Sequence, residues 1–450
     1  MVEMSTPLPS LGFRDPAFLR SHAHSVLSFW ATSPLPRSGG LYHCLRDNGS
    51  VYDKKTRHLV SSTRLIVEFA WAIIHELPPP PAPAPGWRAM LESCLQFLRE
   101  FHFVPATGGY KWVVLVDDDG SAADDTATSE PTRNEATNED ATNRSYGLCF
   151  VLLAFSTALS AGVDSARVLI DEVTATLTEH FWEAEHGLYA DEANADFSIV
   201  DAYRGQNANM HAVEAHMAAY KATHDNLHLE RARTIARSMC VRQASLCDTA
   251  TGCGALIYEH YLPDWSAPNL TYNKDKPNDR FRPWGFQPGH LAEWAKLLVQ
   301  LDALGQQEAD GSSPATWRLT TARRFFSAAI CGWDEARGGG FVYSVAPTSG
   351  LPFCNAFKYK WVQTEVAASA ALLARVSGLT DEERGFYEEW YDKVFALCWT
   401  HFVDHKRGSW YRVLNERLDA IDSFKCPPGK VDYHVTGLCF DAADAFAGTP

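Results

Sequence analysis

Phe181-Trp182-Glu183-Ala184-Glu185-His186-Gly187-Leu188-Tyr189 is the stretch from which the fold can be read, because it returns around the chain. An aromatic or acidic lead-in, a glycine and a second aromatic recur from Phe29-Trp30 to Gly40-Leu41-Tyr42 and from Phe103 to Gly109-Tyr110. They recur again from Cys247-Asp248 to Tyr258, from Trp333-Asp334 to Gly340-Phe341-Val342-Tyr343, and from Phe402 to Gly408-Ser409-Trp410-Tyr411. The closing tyrosines, at positions 42, 110, 189, 258, 343 and 411, are spaced by 68, 79, 69, 85 and 68 residues. Glycine between short aromatic-rich runs is turn chemistry, so each copy is expected to be a tight turn or small hairpin. The fourth copy is the weakest.

Between the copies lie pairs of segments with apolar residues at i, i+3, i+4 and i+7, such as Leu91, Cys94, Leu95 and Leu98. The first opens at Asp15-Pro16; the rest span 62–76, 87–101, 146–161, 165–181, 207–223, 227–241, 289–304, 314–331, 361–377, 381–402 and 433–446. Twelve helices separated by six turn motifs describe an all-α chain, an (α/α)6 barrel with short β-hairpin or turn insertions. The even-numbered helices are expected to form its inner ring. Pro78 to Pro85 reads as a stiff polyproline connector. The stretch from Asp117 to Asn143 holds nine acids and one arginine and little apolar content, so it reads as a disordered surface insertion. The repeat keeps its phase across both, so residues 1–450 are taken as one domain.

Composition narrows the function. The net charge is −15, of which the 117–143 stretch supplies −8, and no basic face offers itself to nucleic acid. No apolar run is long enough for a membrane span, and Met1 to Arg20 lacks the apolar core of a secretory signal. Eleven cysteines without C-x-x-C spacing read as reduced thiols of a cytoplasmic protein. The sequons at Asn48, Asn143 and Asn269 carry little weight without a secretory route.

Polar groups mark the starts of the inner helices: Arg64, Tyr146, Asn207 with His211, His290 with Glu293, Glu365, and His434. In such a barrel these starts share one open end, so residues far apart in sequence converge on one pocket. Each has an ordinary explanation as well. A lone histidine is commonly a cap or core residue, Arg64 can pair with Glu68, Tyr146 can be core, and Glu365 can be a surface carboxylate. Recurrence in register argues against six coincidences. The pairs His211/Glu214 and His290/Glu293 put histidine and glutamate on one helix face, where they can hold a metal. No H-E-x-x-H or Cys/His zinc spacing accompanies them, so a metal-free site is expected, with Glu293 orienting His290 as a base. Histidines suit proton transfer next to a carbonyl through an enediol, with Arg64 facing the developing charge, whereas hydrolysis would favour two carboxylates.

The stretch Asn207-Ala208-Asn209-Met210-His211-Ala212-Val213-Glu214-Ala215 resembles the N-A-N-M-H-x-x-E-A motif of the N-acylglucosamine 2-epimerase superfamily. Pro288-Gly289-His290-Leu291-Ala292-Glu293-Trp294 resembles its P-G-H-x-x-E-W motif, Trp361 to Glu365 its W-x-x-x-E segment, and Asp432-Tyr433-His434 its last histidine. Ser61-Ser62-Thr63-Arg64 lies where the family has a substrate-contacting arginine. The resemblance runs from about Asp15 to Ala447. It implies an (α/α)6 barrel without cofactor, His290 and His434 as the acid/base pair, and Arg64, Tyr146, Asn207, His211, Glu293, Trp361 and Glu365 around the substrate.

The Tyr-His pair at 433–434 is more similar to the aldose–ketose branch, the mannose and sulfoquinovose isomerases, than to the acylglucosamine epimerases. At Tyr146-Gly147-Leu148-Cys149 the chain departs from relatives that carry an acid or histidine beside the tyrosine. The branch resemblance implies isomerisation of a mannose–fructose type, with His434 moving the proton between C2 and C1 and His290 opening the ring. A 2-epimerase with histidines on opposite faces stays open, as do a glycoside hydrolase on the same barrel and a non-catalytic binding protein. The expected partner is a small sugar, with neither nucleic acid nor membrane, and the protein a monomer or homodimer.

Overall fold

The structure, a computed structural model, describes residues 12–117, 139–279, 281–305 and 315–448. Its helices are α1 (Pro16–Ala31), α2 (Leu59–Ile74), α3 (Trp87–Phe97), α4 (Ser145–Ser160), α5 (Ala166–His180), α6 (Gln206–Thr223), α7 (Asn226–Arg237), α8 (Ala244–Thr251), α9 (Pro288–Ala303), α10 (Ala315–Ala329), α11 (Lys360–Leu373), α12 (Asp381–His401) and α13 (Tyr433–Ala447). A π-helical turn, Ser238–Gln243, joins α7 to α8 without a break, so the two form one rod and the described residues hold twelve helices.

Six of them, α2, α4, α6, α9, α11 and α13, pack each on the next, and α13 returns to α2 to close a ring. An outer helix backs each one: α3 on α2, α5 on α4, α7 on α6, α10 on α9, α12 on α11, and α1 on α13. Sequence separates the two rings. Inner helices are buried on nearly every face, as in Gly147 to Ala158 of α4, and reading all round as core is what a helix between two layers requires. Alanine runs such as Ala367 to Ala371, interrupted only by Ser369, let α11 approach both neighbours closely. Outer helices are one-sided; α3 buries Trp87, Met90, Leu91 and Cys94 and turns Arg88, Glu92 and Gln96 outward.

Short antiparallel pairings tie the inner helix starts together. The residues leading into each inner helix pair with a segment that follows the next repeat's turn motif. Thr56–His58 pairs with Val113–Leu115, Asn143–Arg144 with Glu192–Ala193, and Arg204–Gly205 with His260–Tyr261. Phe286 bridges to Val345, Lys358–Tyr359 pairs with Val413–Leu414, and Phe424–Cys426 closes the circle on Cys44–Arg46.

Side-chain amides lock the hairpins onto this rim. Asn209 on α6 accepts from the Tyr189 N–H at 2.8 Å and donates to the carbonyls of Tyr189 and Gly205. Gln363 on α11 does the same for Phe341, at 2.7 and 2.9 Å, and Asn143 accepts from the Tyr110 N–H at 3.0 Å. Asn143 is buried and bonded, so the sequon it begins is structural. Four of the six repeat copies are hairpins or bridges: 103–110, 182–189, 333–341 and 403–410. Gly187 and Gly408 turn two of them at φ of +63° and +86°, a region side chains disfavour.

The expectation of six equivalent turns is corrected in two places. In the first copy Phe29-Trp30 ends α1, and in the fourth Cys247 and Asp248 lie inside α8, whose continuation past α7 displaces the hairpin. The proline run holds a turn, Ala84 N–H to the Pro81 carbonyl, and is not a straight rod. Of the stretch read as a disordered insertion, 118–138 lies outside the described residues, while Asp140 pairs with Val113 and Asn143 with the rim. No helix among the described residues is long and apolar enough to cross a membrane.

Asn209→Leu removes three buried hydrogen bonds and leaves the Tyr189 N–H without its partner at nearly constant volume. It is expected to lower stability by about 2–4 kcal/mol, read as a reduced urea midpoint.

Candidate active site

Because the rim sets every inner helix at one height, equivalent positions face each other in two tiers. The upper tier is the second or third residue of its helix: Tyr146, Asn207, His290, Trp361 and His434. One turn below, at the sixth residue, stand Arg64, His211, Glu293 and Glu365. Eight of these nine line a single cavity at the rim end, and Glu365 stands directly behind His434. Gln287, Phe281, Tyr359, Arg412 and Lys430, from loops and helix lead-ins, and Tyr343, which closes the fifth turn motif, are further wall residues that the sequence reading did not assign to the site.

Each histidine has its own carboxylate. His211 Nδ1 lies 2.9 Å from Glu214 Oε2, and His434 Nδ1 lies 2.7 Å from Glu365 Oε1. His290 Nδ1 lies 3.0 Å from both oxygens of Glu259 and 2.8 Å from the amide nitrogen of Gln206. That amide is itself oriented, since Gln206 Oε1 accepts from Trp294 Nε1 at 2.7 Å. On His211 and His434 a carboxylate on Nδ1 keeps the proton there and leaves Nε2 bare, the tautomer a base needs. This corrects the expectation that Glu293 orients His290. Glu259 does, and it escaped the sequence reading because it belongs to the irregular fourth repeat. Its only signal is an acid buried between Tyr258 and His260.

The other ordinary explanations are also settled by contacts. Arg64 does not pair with Glu68; it donates to the Tyr146 hydroxyl at 3.2 Å and lies over the rings of Phe150 and Tyr433. Glu365 is no surface group, being 1% exposed and held by Lys296 Nζ at 2.7 Å. The Trp361 ring lies between His290 and His434, at centroid distances of 4.9 and 5.8 Å. Gly289 makes room for it, since a Cβ there would stand 2.5 Å from Trp361 Cζ3.

Burial sets the charges. It holds His434 well below the usual histidine range, helped by the cations Arg64 and Lys296, and lowers His211 to about 4 despite Glu214. Both are neutral bases at neutral pH. Burial, then the charge of Glu365, pushes Glu293 far above the usual carboxylate range, so it is a neutral acid. Lys296 stays charged because the carboxylates around it, Glu365 and Asp441 foremost, outweigh its burial. Several polar atoms of the cavity have no protein partner: both oxygens of Glu293, Arg64 Nε, Asn207 Oδ1 and Gln287 Oε1. Buried polar atoms of this kind signal a ligand rich in donors and acceptors.

Two groups, His211/Glu214/Glu293 and Glu293/Glu365/His434, gather their ligating atoms within 4.8 Å and are the places a metal ion could be held. In both the ligating groups already have partners from within: Tyr433 donates to Glu214, Lys296 pairs with Glu365, and Glu293 keeps its proton. The arrangement as it stands offers neutral bases, a neutral acid and a cation around one small cavity.

Comparison with known proteins agrees with this chemistry. The family model described as N-acylglucosamine 2-epimerase matches residues 40–438. The D-mannose isomerase of Marinomonas mediterranea is 39% identical over 95% of this chain and 97% of its own. A crystal structure of a D-mannose isomerase superposes with a TM-score of 0.82 at 39% identity, covering 97% of this chain and 99% of the other. The cellobiose 2-epimerase of Spirochaeta thermophila, at 18% identity and a TM-score of 0.75 over 98% and 99% of the two chains, shares the (α/α)6 fold. The chain therefore belongs to the N-acylglucosamine 2-epimerase family, and it is an isomerase or epimerase.

Proposed function

We propose that the protein interconverts an aldose and its ketose, of the mannose–fructose kind, by moving a proton between C2 and C1. The carrying observation is His434: a neutral imidazole in the cavity, its Nδ1 held by Glu365, which pairs with Lys296. The names of the relatives at 39% identity support the substrate class.

The steps follow from the groups present. His290, oriented by Glu259, takes the anomeric hydroxyl proton as the ring oxygen leaves C1 and gives it to that oxygen, yielding the neutral open-chain aldose. His434 Nε2 removes the C2 proton; the C–H electrons form the C1–C2 double bond and the carbonyl pair moves to O1, giving an enediolate. His290 carries the O2 proton to O1, C2 becomes the carbonyl, and His434 returns its proton to C1. Glu365 opposes the charge on His434 while it carries the proton, and Arg64 opposes charge developing on oxygen. Glu293, Asn207 and Gln287 supply hydrogen bonds to sugar hydroxyls, which satisfies their orphaned atoms. All these groups come from one chain, so a monomer is complete for chemistry. The eleven cysteines are free thiols, which fits a reducing compartment.

Incubation with mannose in heavy water, followed by NMR, is expected to give fructose as the first product. Glucose appearing first without fructose would replace this reading by a 2-epimerase. Glu365→Gln is expected to lower kcat by about 10²–10⁴ with KM changed only a few-fold, because the partner of an imidazolium is lost while the cavity keeps its shape. The pH profile has a definite sign. Acidification protonates His434, and its depressed pKa places that loss below the ordinary histidine value, so kcat/KM should stay level from pH 8 through the usual histidine range of about 6.5 and fall only on the acid side of it. A fall centred above about 7 would exclude His434 as the base.

A further inference from the structure

The barrel holds a second cavity, entered from the end opposite the rim. Its room of about 360 Å³ is inside the range of about 300–1,000 Å³ in which proteins hold small molecules. Its mouth carries exposed Ile74, Ser160 and Lys221. Its floor is the underside of the candidate active site, reaching Glu214, Glu365, Lys296 and Tyr433.

Part of the wall is aromatic. Trp71 stacks on Tyr433 at a centroid distance of 5.3 Å, and His75 stacks on Phe440 at 4.1 Å. Gly437 on α13 belongs to the same wall, and a Cβ there would stand 3.6 Å from the Trp71 ring, an ordinary contact. Packing therefore accepts alanine, which a helix interior favours, and glycine keeps that space in the cavity. The rest of the wall is polar, with Thr157, Ser160, Lys296, Gln300 and Asp441. Its charged groups are occupied with one another. Lys296 Nζ lies 2.7 Å from Glu365 Oε2, Asp444 meets Arg20 at 3.3 Å, and Asp441 accepts from Gln300 at 3.1 Å in the field of Lys296 and Lys221. What the cavity offers a guest is thus hydrogen bonding beside aromatic surface. That combination suits the hydroxyls and C–H faces of an uncharged polyol.

We propose that the lower cavity binds a second, uncharged polyhydroxylated molecule, and that its occupation lowers turnover through the Glu365–Lys296 pair. That pair lies on the cavity floor, and Glu365 Oε1 holds His434 Nδ1 at 2.7 Å. A guest hydroxyl bonded to Lys296 or Glu365 draws on the charges that oppose an imidazolium at His434, so the proton-transfer step slows. The coupling rests on His434 as the base; the binding does not.

Equilibrium dialysis of labelled mannitol, a polyol with no carbonyl to react, tests the binding. Two variants away from the upper cavity close the lower one, Ser160→Trp at its mouth and Ala218→Phe in its wall. Each is expected to bind one mannitol fewer per chain than the parent, with KM for mannose within about twofold. Saturating mannose holds the upper cavity, and mannitol is then expected to lower the parent's kcat at least about twofold and leave that of the variants unchanged. A folded variant that binds as many mannitol molecules as the parent, a parent that binds none, or a parent kcat that mannitol does not move overturns the proposal. Dialysis needs no turnover, so it decides the site equally if the first product from mannose is glucose and the isomerase reading fails.

Discussion

Everything at the rim depends on the six short pairings that tie the lead-in of each inner helix to the segment following the next repeat's turn motif. Each is only two or three residues long, or a single bridge, and alone would not persist in water. Their effect comes from closure. With Cys44–Arg46 on Phe424–Cys426 the circle is complete, and no inner helix can slide along the barrel axis without breaking two pairings. A slip of one turn would move His211 or Glu365 about 5.4 Å, far more than a hydrogen bond tolerates. Asn209 and Gln363 add a second constraint, since a buried amide satisfied on both ends fits one arrangement of hairpin and helix.

The electrostatics follow from that placement. Tiers of polar groups in an apolar ring are costly unless they are hydrogen-bonded or paired, and the barrel partners them: His211 with Glu214, His290 with Glu259, His434 with Glu365, and Glu365 with Lys296. Burial leaves His211 and His434 neutral and Glu293 protonated, so the groups exist in the states proton transfer requires before any ligand arrives. Five of the buried polar atoms without a protein partner, on Glu293, Arg64, Asn207 and Gln287, belong to residues of the cavity wall, and a polyhydroxylated ligand is their natural complement.

Much of this was legible in the chain. The Gly-aromatic repeat and the periodic segments gave twelve helices in two rings, and the polar helix starts identified seven residues that do line one cavity. Reading failed where local pattern and tertiary contact diverge. His290 and Glu293 lie on one helix face, yet Glu259 reaches His290 from a loop a repeat away, and Glu293 turns toward His211 instead, 3.9 Å off. The fourth copy resembled a hairpin because Asp248 and Tyr258 fit the spacing, but a π-helical turn carried α7 on into α8 and consumed the strand.

The sequence by itself determined which faces must be buried and in what order the elements come, since periodicity and turn glycines are properties of neighbouring residues. It also determined the kinds of chemistry present, because histidine, arginine and glutamate keep their donors and acceptors in any fold. Only the tertiary structure decided which carboxylate each histidine meets and which groups are charged. Those depend on distances between residues from different repeats, and on the removal of water from around them, neither of which is written in local order.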